Sequence, residues 1–205
     1  MYKRQGLQYA GAFAPSEFAL IASGDVTGDG RDDVLVSYTA VGSVSVVPQT
    51  LPGMFGTPLQ YDFTSTKDDA LGIAVGDITG DGLADAVVTY GGNSPGCHLG
   101  VLVQQKGTFQ SVVTYDTLDL PGTVRIADMN GDGRADVIVA HVGFEKVGVY
   151  LQATDGSLAA EQLFPFYESN VSGKSIAVGD LNGDGKNDIA GIAWPDNAVL
   201  LLLSQ

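Results

Sequence analysis

The sequence predicts an all-β protein, a β-propeller of four four-stranded blades, and three observations carry that expectation. A nine-residue segment rich in aspartate and glycine occurs four times in phase. Short apolar and β-branched runs flank every copy, the pattern of strand, tight loop, strand. No stretch has the periodicity of an amphipathic helix to compete with this reading. A repeat of about 50 residues holding four short strands matches the size of a propeller blade.

The segments are DVTGDGRDD at 25–33, DITGDGLAD at 77–85, DMNGDGRAD at 128–136 and DLNGDGKND at 180–188, and their starts lie 52, 51 and 52 residues apart. In each unit a first strand is expected before the loop (20–23, 73–75, 124–127, 176–178) and a second after it (34–36, 86–89, 137–139, 189–192). A third follows at 44–47, 99–103, 147–151 and 198–203, and a fourth at 59–63, 111–115 and 162–166. The fourth unit has only three such runs. Its missing strand is expected from the other end of the chain, because Leu7-Gln8-Tyr9 repeats Leu59-Gln60-Tyr61 at an offset of 52. A strand over 7–10 paired with 198–203 would close the ring and remove two unpaired edges. Residues 1–5, Met-Tyr-Lys-Arg-Gln, match the translation of GTG TAT AAG AGA CAG, the end of a common transposon sequencing adapter. They are expected to be non-native, with a reading frame cut short upstream and a propeller domain over 6–205.

Composition agrees with a single folded domain. The chain has 205 residues, 44% hydrophobic and 17% charged, which is not the profile of a disordered acidic tail. Its 24 acidic and 10 basic residues leave a net charge of −14, which repels a phosphate backbone and argues against nucleic acid as a partner. The aspartates at loop positions 1, 5 and 9 account for 12 of the 24 acidic residues, so half of the acidity sits in four loops. A lone cysteine, Cys97, excludes an internal disulfide, and no apolar run is long enough to insert in a membrane.

The loops are similar to those of FG-GAP or VCBS repeats, the blades of integrin alpha subunits and of many secreted bacterial proteins. The resemblance extends over 7–205 and includes Gly53-Met-Phe-Gly56 and Lys106-Gly-Thr-Phe109, which resemble the Gly and Phe turn after the third strand. It implies calcium in the loop between the first two strands, up to four ions in all. The chemistry points the same way. Calcium takes six to eight oxygen ligands, and calcium loops supply them from positions 1, 3, 5, 7 and 9 with glycine at 6. The first loop would offer Asp25, Thr27, Asp29 and Asp33 with the carbonyl of Arg31. The second would offer Asp77, Thr79, Asp81, Asp85 and the carbonyl of Leu83, and the third Asp128, Asn130, Asp132, Asp136 and that of Arg134. The fourth would offer Asp180, Asn182, Asp184, Asp188 and the carbonyl of Lys186. The apolar position 2 (Val26, Ile78, Met129, Leu181) is expected to anchor each loop on the core. Three carboxylates in a short turn repel one another unless a cation joins them, whereas a mere Gly-Asp turn needs no such cluster. The loops with Asn130 and Asn182 are expected to bind more tightly than those with Thr27 and Thr79, an amide oxygen being the better ligand. Position 12 is never glutamate and the flanks are strands, so the sites are structural, not those of a sensor that opens.

Tyr38, Tyr90, His141 and Trp194 follow the last aspartate of their loops by five or six residues. Rings at equivalent places suggest either packing between blades or a ring of platforms for sugar faces on the side opposite the loops. No hydrolase elbow, phosphate loop or zinc helix occurs, and the two histidines, His98 and His141, have no identifiable nucleophile. His98 beside Cys97 lacks further metal ligands. The expected function is therefore a non-enzymatic, secreted or surface-exposed calcium-stabilised module. It would bind a glycan or an extracellular protein as a monomer or as a closed dimer, or serve as a scaffold within a larger secreted protein or polysaccharide-active enzyme. Millimolar extracellular calcium suits loops of this kind.

Overall fold

The computed structural model describes residues 19–38, 42–64, 68–92, 95–141, 144–166, 176–193 and 198–204. Among these residues every regular element is a strand. The first sheet is built from β1 (Ala19–Gly24), β2 (Asp33–Tyr38), β3 (Ser43–Val47) and β6 (Leu59–Asp62), with a small hairpin of β4 (Gln49–Leu51) and β5 (Met54–Phe55) between the last two. The second runs through β7 (Ala70–Gly76), β8 (Asp85–Tyr90), β9 (His98–Gln105) and β10 (Thr108–Asp116). The third contains β11 (Pro121–Ala127), β12 (Asp136–His141), β13 (Lys146–Tyr150) and β14 (Gln162–Pro165). The fourth has β15 (Ile176–Gly179), β16 (Asp188–Ala193) and β17 (Ala198–Leu202). Pairing is antiparallel throughout, and strands follow sequence order across each sheet, as four successive meanders.

The expected strands are present to within a few residues. The β4–β5 hairpin is an addition, made where the glycine and phenylalanine turn was expected, whereas Lys106 and Gly107 join β9 directly to β10. The strand expected over 7–10 lies outside the described residues, so ring closure through it does too.

Alternating side chains divide each sheet into two faces. The face of the first sheet bearing Leu35, Val44 and Val46 packs on the face of the second bearing Ile73, Ala86 and Val88. Leu99 and Val101, from the other face of the second sheet, meet Val124, Val137 and Val139 of the third. Ile138, Val147 and Val149 of the third meet Ile176 and Ile189 of the fourth. Three cores of one design thus lie between consecutive sheets. The first strands form the spine, β7 lying beside both β1 and β11, and β15 beside β11. Strands β8 and β12, covered on both faces, are buried at all six positions.

Candidate functional site: the aspartate loops

Each nine-residue loop joins the first strand of its sheet to the second. Glycines at positions 4 and 6 hold the left-handed backbone that the turn needs, with φ of 72° and 82° at Gly28 and Gly30 and similar values in the other three copies. Other residue types would be strained there.

The three aspartates have three different surroundings. The first is a cradle for the loop's own backbone: Asp25 accepts N–H bonds from Gly28, Asp29 and Gly30 at 2.7, 3.1 and 2.7 Å. Asp77, Asp128 and Asp180 repeat the arrangement. Bonds from Gly185 and Gly183 hold the Asp180 carboxyl below the usual carboxylate range. The middle aspartate is exposed at the rim and accepts the N–H of position 7. In the first and third loops it also pairs with a guanidinium, Asp29 with Arg31 and Asp132 with Arg134, and each arginine donates through Nε to a backbone carbonyl, Gln49 or Gln152. Leu83 and Lys186 make no such pair. For Asp132, slight desolvation is outweighed by the Arg134 N–H, the Asn130 amide and the Arg134 charge, and the carboxyl lies low.

The last aspartate is a staple. Asp33, Asp85, Asp136 and Asp188 are fully buried. In each, Oδ2 accepts the N–H of loop position 2, and Oδ1 accepts an N–H from the end of the third strand or just beyond it, donated by Gln49, Gln104, Gln152 or Ser204 at 2.8–2.9 Å. One carboxylate therefore ties the loop to a strand 16 to 19 residues further on. Burial outweighs these bonds at Asp85 and Asp136, whose carboxyls are pushed up.

The next sheet covers each of the first three loops. Gln152 donates to the Asp77 carbonyl at 3.2 Å and Asn187 to the Asp128 carbonyl at 2.9 Å. A Cβ at Gly107 or Gly156 would collide with the carbonyl of Thr27 or Thr79, so glycine permits this approach. Position 2 anchors three loops as expected: Val26 and Ile78 are buried, and Met129 packs on the third core. Leu181 is 49% exposed, since among the described residues no sheet packs on that side of the fourth.

Among the described residues no three His, Cys, Asp or Glu side chains stand together as a metal-binding group. The repulsion expected among the three carboxylates is met by backbone N–H donors and, in two loops, by arginine. The donor chemistry still fits calcium: a carboxylate has about four acceptor sites, and Asp25 and Asp33 each use three. Beside the first loop, the Thr27 hydroxyl and both amide atoms of Gln104 are buried without partners, and Gln104 lies against Gly28.

Burial removes Tyr90 and His141 from the expected ring of sugar platforms. Tyr90 is buried against Phe63 and His98, with ring centroids 4.9 and 5.5 Å apart. His141 is buried too; its Nε2 lies 2.6 Å from Glu161 Oε1, its Nδ1 lies 3.3 Å from the Asp119 carbonyl, and Glu161 also accepts the Leu118 N–H at 2.9 Å. Tyr90 belongs to the core between the first and second sheets, and the His141–Glu161 pair holds the segment that links β10 to β11. Tyr38 ends β2, and its side chain lies outside the described residues, as does Trp194. Sequence reasoning missed Glu161, which no repeat marks. Cys97 is buried beside the Thr117 carbonyl and Asp119, and burial pushes its thiol up.

The profile of the FG-GAP-like repeat matches residues 25–88 and 128–191, each stretch running from one aspartate loop through the next and into the strand after it. The chain belongs to the FG-GAP-like repeat family. In this FG-GAP chain the family's loop is the element that ties the first, second and third strands of each sheet. Similar solved structures include a chain of the Photorhabdus luminescens Tc holotoxin pore, 18% identical over 88% of the present chain with a TM-score of 0.48. Another is a protein of unknown function from Bacteroides caccae, 14% identical over 88% with a TM-score of 0.47. The present chain spans 9% and 58% of their lengths. Among curated proteins there is no match.

Proposed function

We propose that the four sheets are blades of a β-propeller that serves as a calcium-stabilised, non-enzymatic scaffold domain of a secreted or surface protein. The supporting observation is the division of labour inside each loop. The last aspartate is buried as a staple, while the first two stay at the loop surface with unused oxygen acceptors. Ligands would come from Asp25, Thr27, Asp29, Asp33 and the Arg31 carbonyl in the first loop and from the equivalent residues in the others. A bound cation would add its charge where side chains and backbone alone now hold the turn. The scaffold reading is favoured over a sugar-binding ring because Tyr90 is spent on the core between the first and second sheets and His141 is buried against Glu161 and the Asp119 carbonyl.

Calorimetric titration of the metal-free chain with calcium tests this. Saturable binding of up to four ions, weakened by Asp25→Asn and Asp77→Asn, is expected. No calcium-dependent heat and no metal retained after equilibrium dialysis would overturn it.

A further inference from the structure

Asparagine followed by glycine is the pair most open to deamidation, because glycine has no side chain to shield its own backbone nitrogen. The chain has two such pairs, Asn130-Gly131 and Asn182-Gly183, at positions 3 and 4 of the third and fourth loops. All four residues are exposed to water. The first two loops carry Thr27-Gly28 and Thr79-Gly80 at these positions, with no side-chain carbonyl to attack. In the reaction the glycine nitrogen gives its proton to solvent and attacks Cγ of the asparagine. The new N–Cγ bond closes a succinimide ring as the Cγ–Nδ2 bond breaks, and Nδ2 leaves as ammonia. Water then opens the ring on either side to aspartate or isoaspartate. The sum is asparagine plus water giving an acid plus ammonia, with no oxidation or reduction.

The two loops treat the reacting groups in opposite ways. The carbon under attack is polarised, because the Asp132 N–H donates to Asn130 Oδ1 at 3.0 Å and the Asp184 N–H to Asn182 Oδ1 at 2.8 Å. The attacking nitrogen is withheld. The Gly131 N–H donates to Asp128 Oδ1 at 2.7 Å, and the Gly183 N–H to Asp180 Oδ1 at 2.6 Å. Such a nitrogen attacks only after losing its proton, and the resulting anion would then face a carboxylate at the same short distance, charge against charge. At Asp180 the reciprocal effect is visible, since bonds from Gly185 and Gly183 hold its carboxyl low and charged. The second oxygen of each aspartate withholds another glycine nitrogen, that of Gly133 at 2.8 Å and that of Gly185 at 3.0 Å. Those glycines follow Asp132 and Asp184, the other pairs in these loops that can close a succinimide.

We propose that Asn130 and Asn182 are latent deamidation sites, and that Asp128 and Asp180 guard them by holding the N–H of Gly131 and Gly183. Release of the guard exposes a primed amide to its neighbour's nitrogen. Deamidation at both sites would take the net charge from −14 to −16. Isoaspartate would also insert a backbone carbon beside Gly131 or Gly183, whose left-handed φ of 76° and 83° the turn requires. All the bonds involved lie within the chain, so the inference does not depend on calcium.

Peptide mapping by mass spectrometry tests it on the full chain, incubated in chelator at mildly alkaline pH. Both sites are read in one sample, so each asparagine is the control for the other. In the folded wild type both should deamidate at least about tenfold more slowly than in guanidinium, since a charge-assisted bond must open before attack. Asp128→Ala should speed Asn130 at least about tenfold relative to Asn182, and Asp180→Ala should reverse that preference. Circular dichroism checks that the variants fold. Where alanine unfolds the chain, Asp128→Asn and Asp180→Asn carry the comparison. They keep an acceptor oxygen for the glycine N–H but lose the charge, and should shift the ratio of the two rates in the same directions by a smaller factor. Equal rates in the folded and denatured wild type, or a ratio that no folded variant moves, would overturn the proposal.

Discussion

The inner sheets and the end sheets are built from the same repeat and differ in what surrounds them. Strands β8 and β12 are buried at every position, because a sheet lies on each side. In the first and fourth sheets the same pattern has one covered face and one open one, and Ile21, Leu181, Val199 and Leu201 are exposed there. The lesson is that burial in this fold belongs to the interface between repeats and not to the repeat itself. A unit of about 50 residues cannot bury its own apolar faces, and stability grows by stacking.

The sharpest way to break that comparison is to alter one residue type at one repeat position. Ile73→Ala should cost roughly 2–5 kcal/mol, since it opens a cavity in a packed core. Ile21→Ala, at low protein concentration, should cost less than about 1 kcal/mol. Urea unfolding monitored by fluorescence measures both, and equal losses would show that the end face is covered in solution. A smaller but still large effect is expected from the staple. Asp85→Ala removes the acceptor of the Ile78, Thr79 and Gln104 N–H groups, and about 2–4 kcal/mol should be lost through buried donors left unpaired. Asp29→Ala, at the exposed rim, should stay within about 1 kcal/mol.

The smallest effects concern protons. Asp85 and Asp136, raised by burial, should protonate at higher pH than Asp132 and Asp180. The signs oppose each other. A lowered group such as Asp180 contributes stability above the ordinary carboxylate pKa, and that contribution is lost as pH falls through its folded value. A raised group such as Asp85 takes up its proton in the folded state first, so its penalty is relieved as pH falls through its folded value. Carboxyl chemical shifts followed through a pH titration give the order, and a single common midpoint would contradict it.

Most strands were legible from sequence because loop, alternation and period agreed at every repeat. The roles of the aspartates were only half legible. Spacing identifies which residues share a loop, but the buried position of Asp33 and its bond from Gln49, 16 residues on, arise from the third strand returning beside the loop. The platform reading of Tyr90 and His141 failed for a related reason. Equivalent positions in a repeat are as easily equivalent contacts between sheets, and Glu161, the partner of His141, falls outside the repeated pattern.

Thermal denaturation in calcium and in chelator tests whether the loops are calcium-stabilised structural sites. At about a hundred times its dissociation constant calcium adds roughly 2.7 kcal/mol per site, and each kcal/mol is worth about 2–4 °C for a domain of this size. Saturating calcium should therefore raise the Tm by at least about 5 °C for one occupied site and by more for four, with magnesium a poor substitute. A melting curve that is the same in calcium and in chelator would contradict the claim and leave the backbone staples as the loops' whole function.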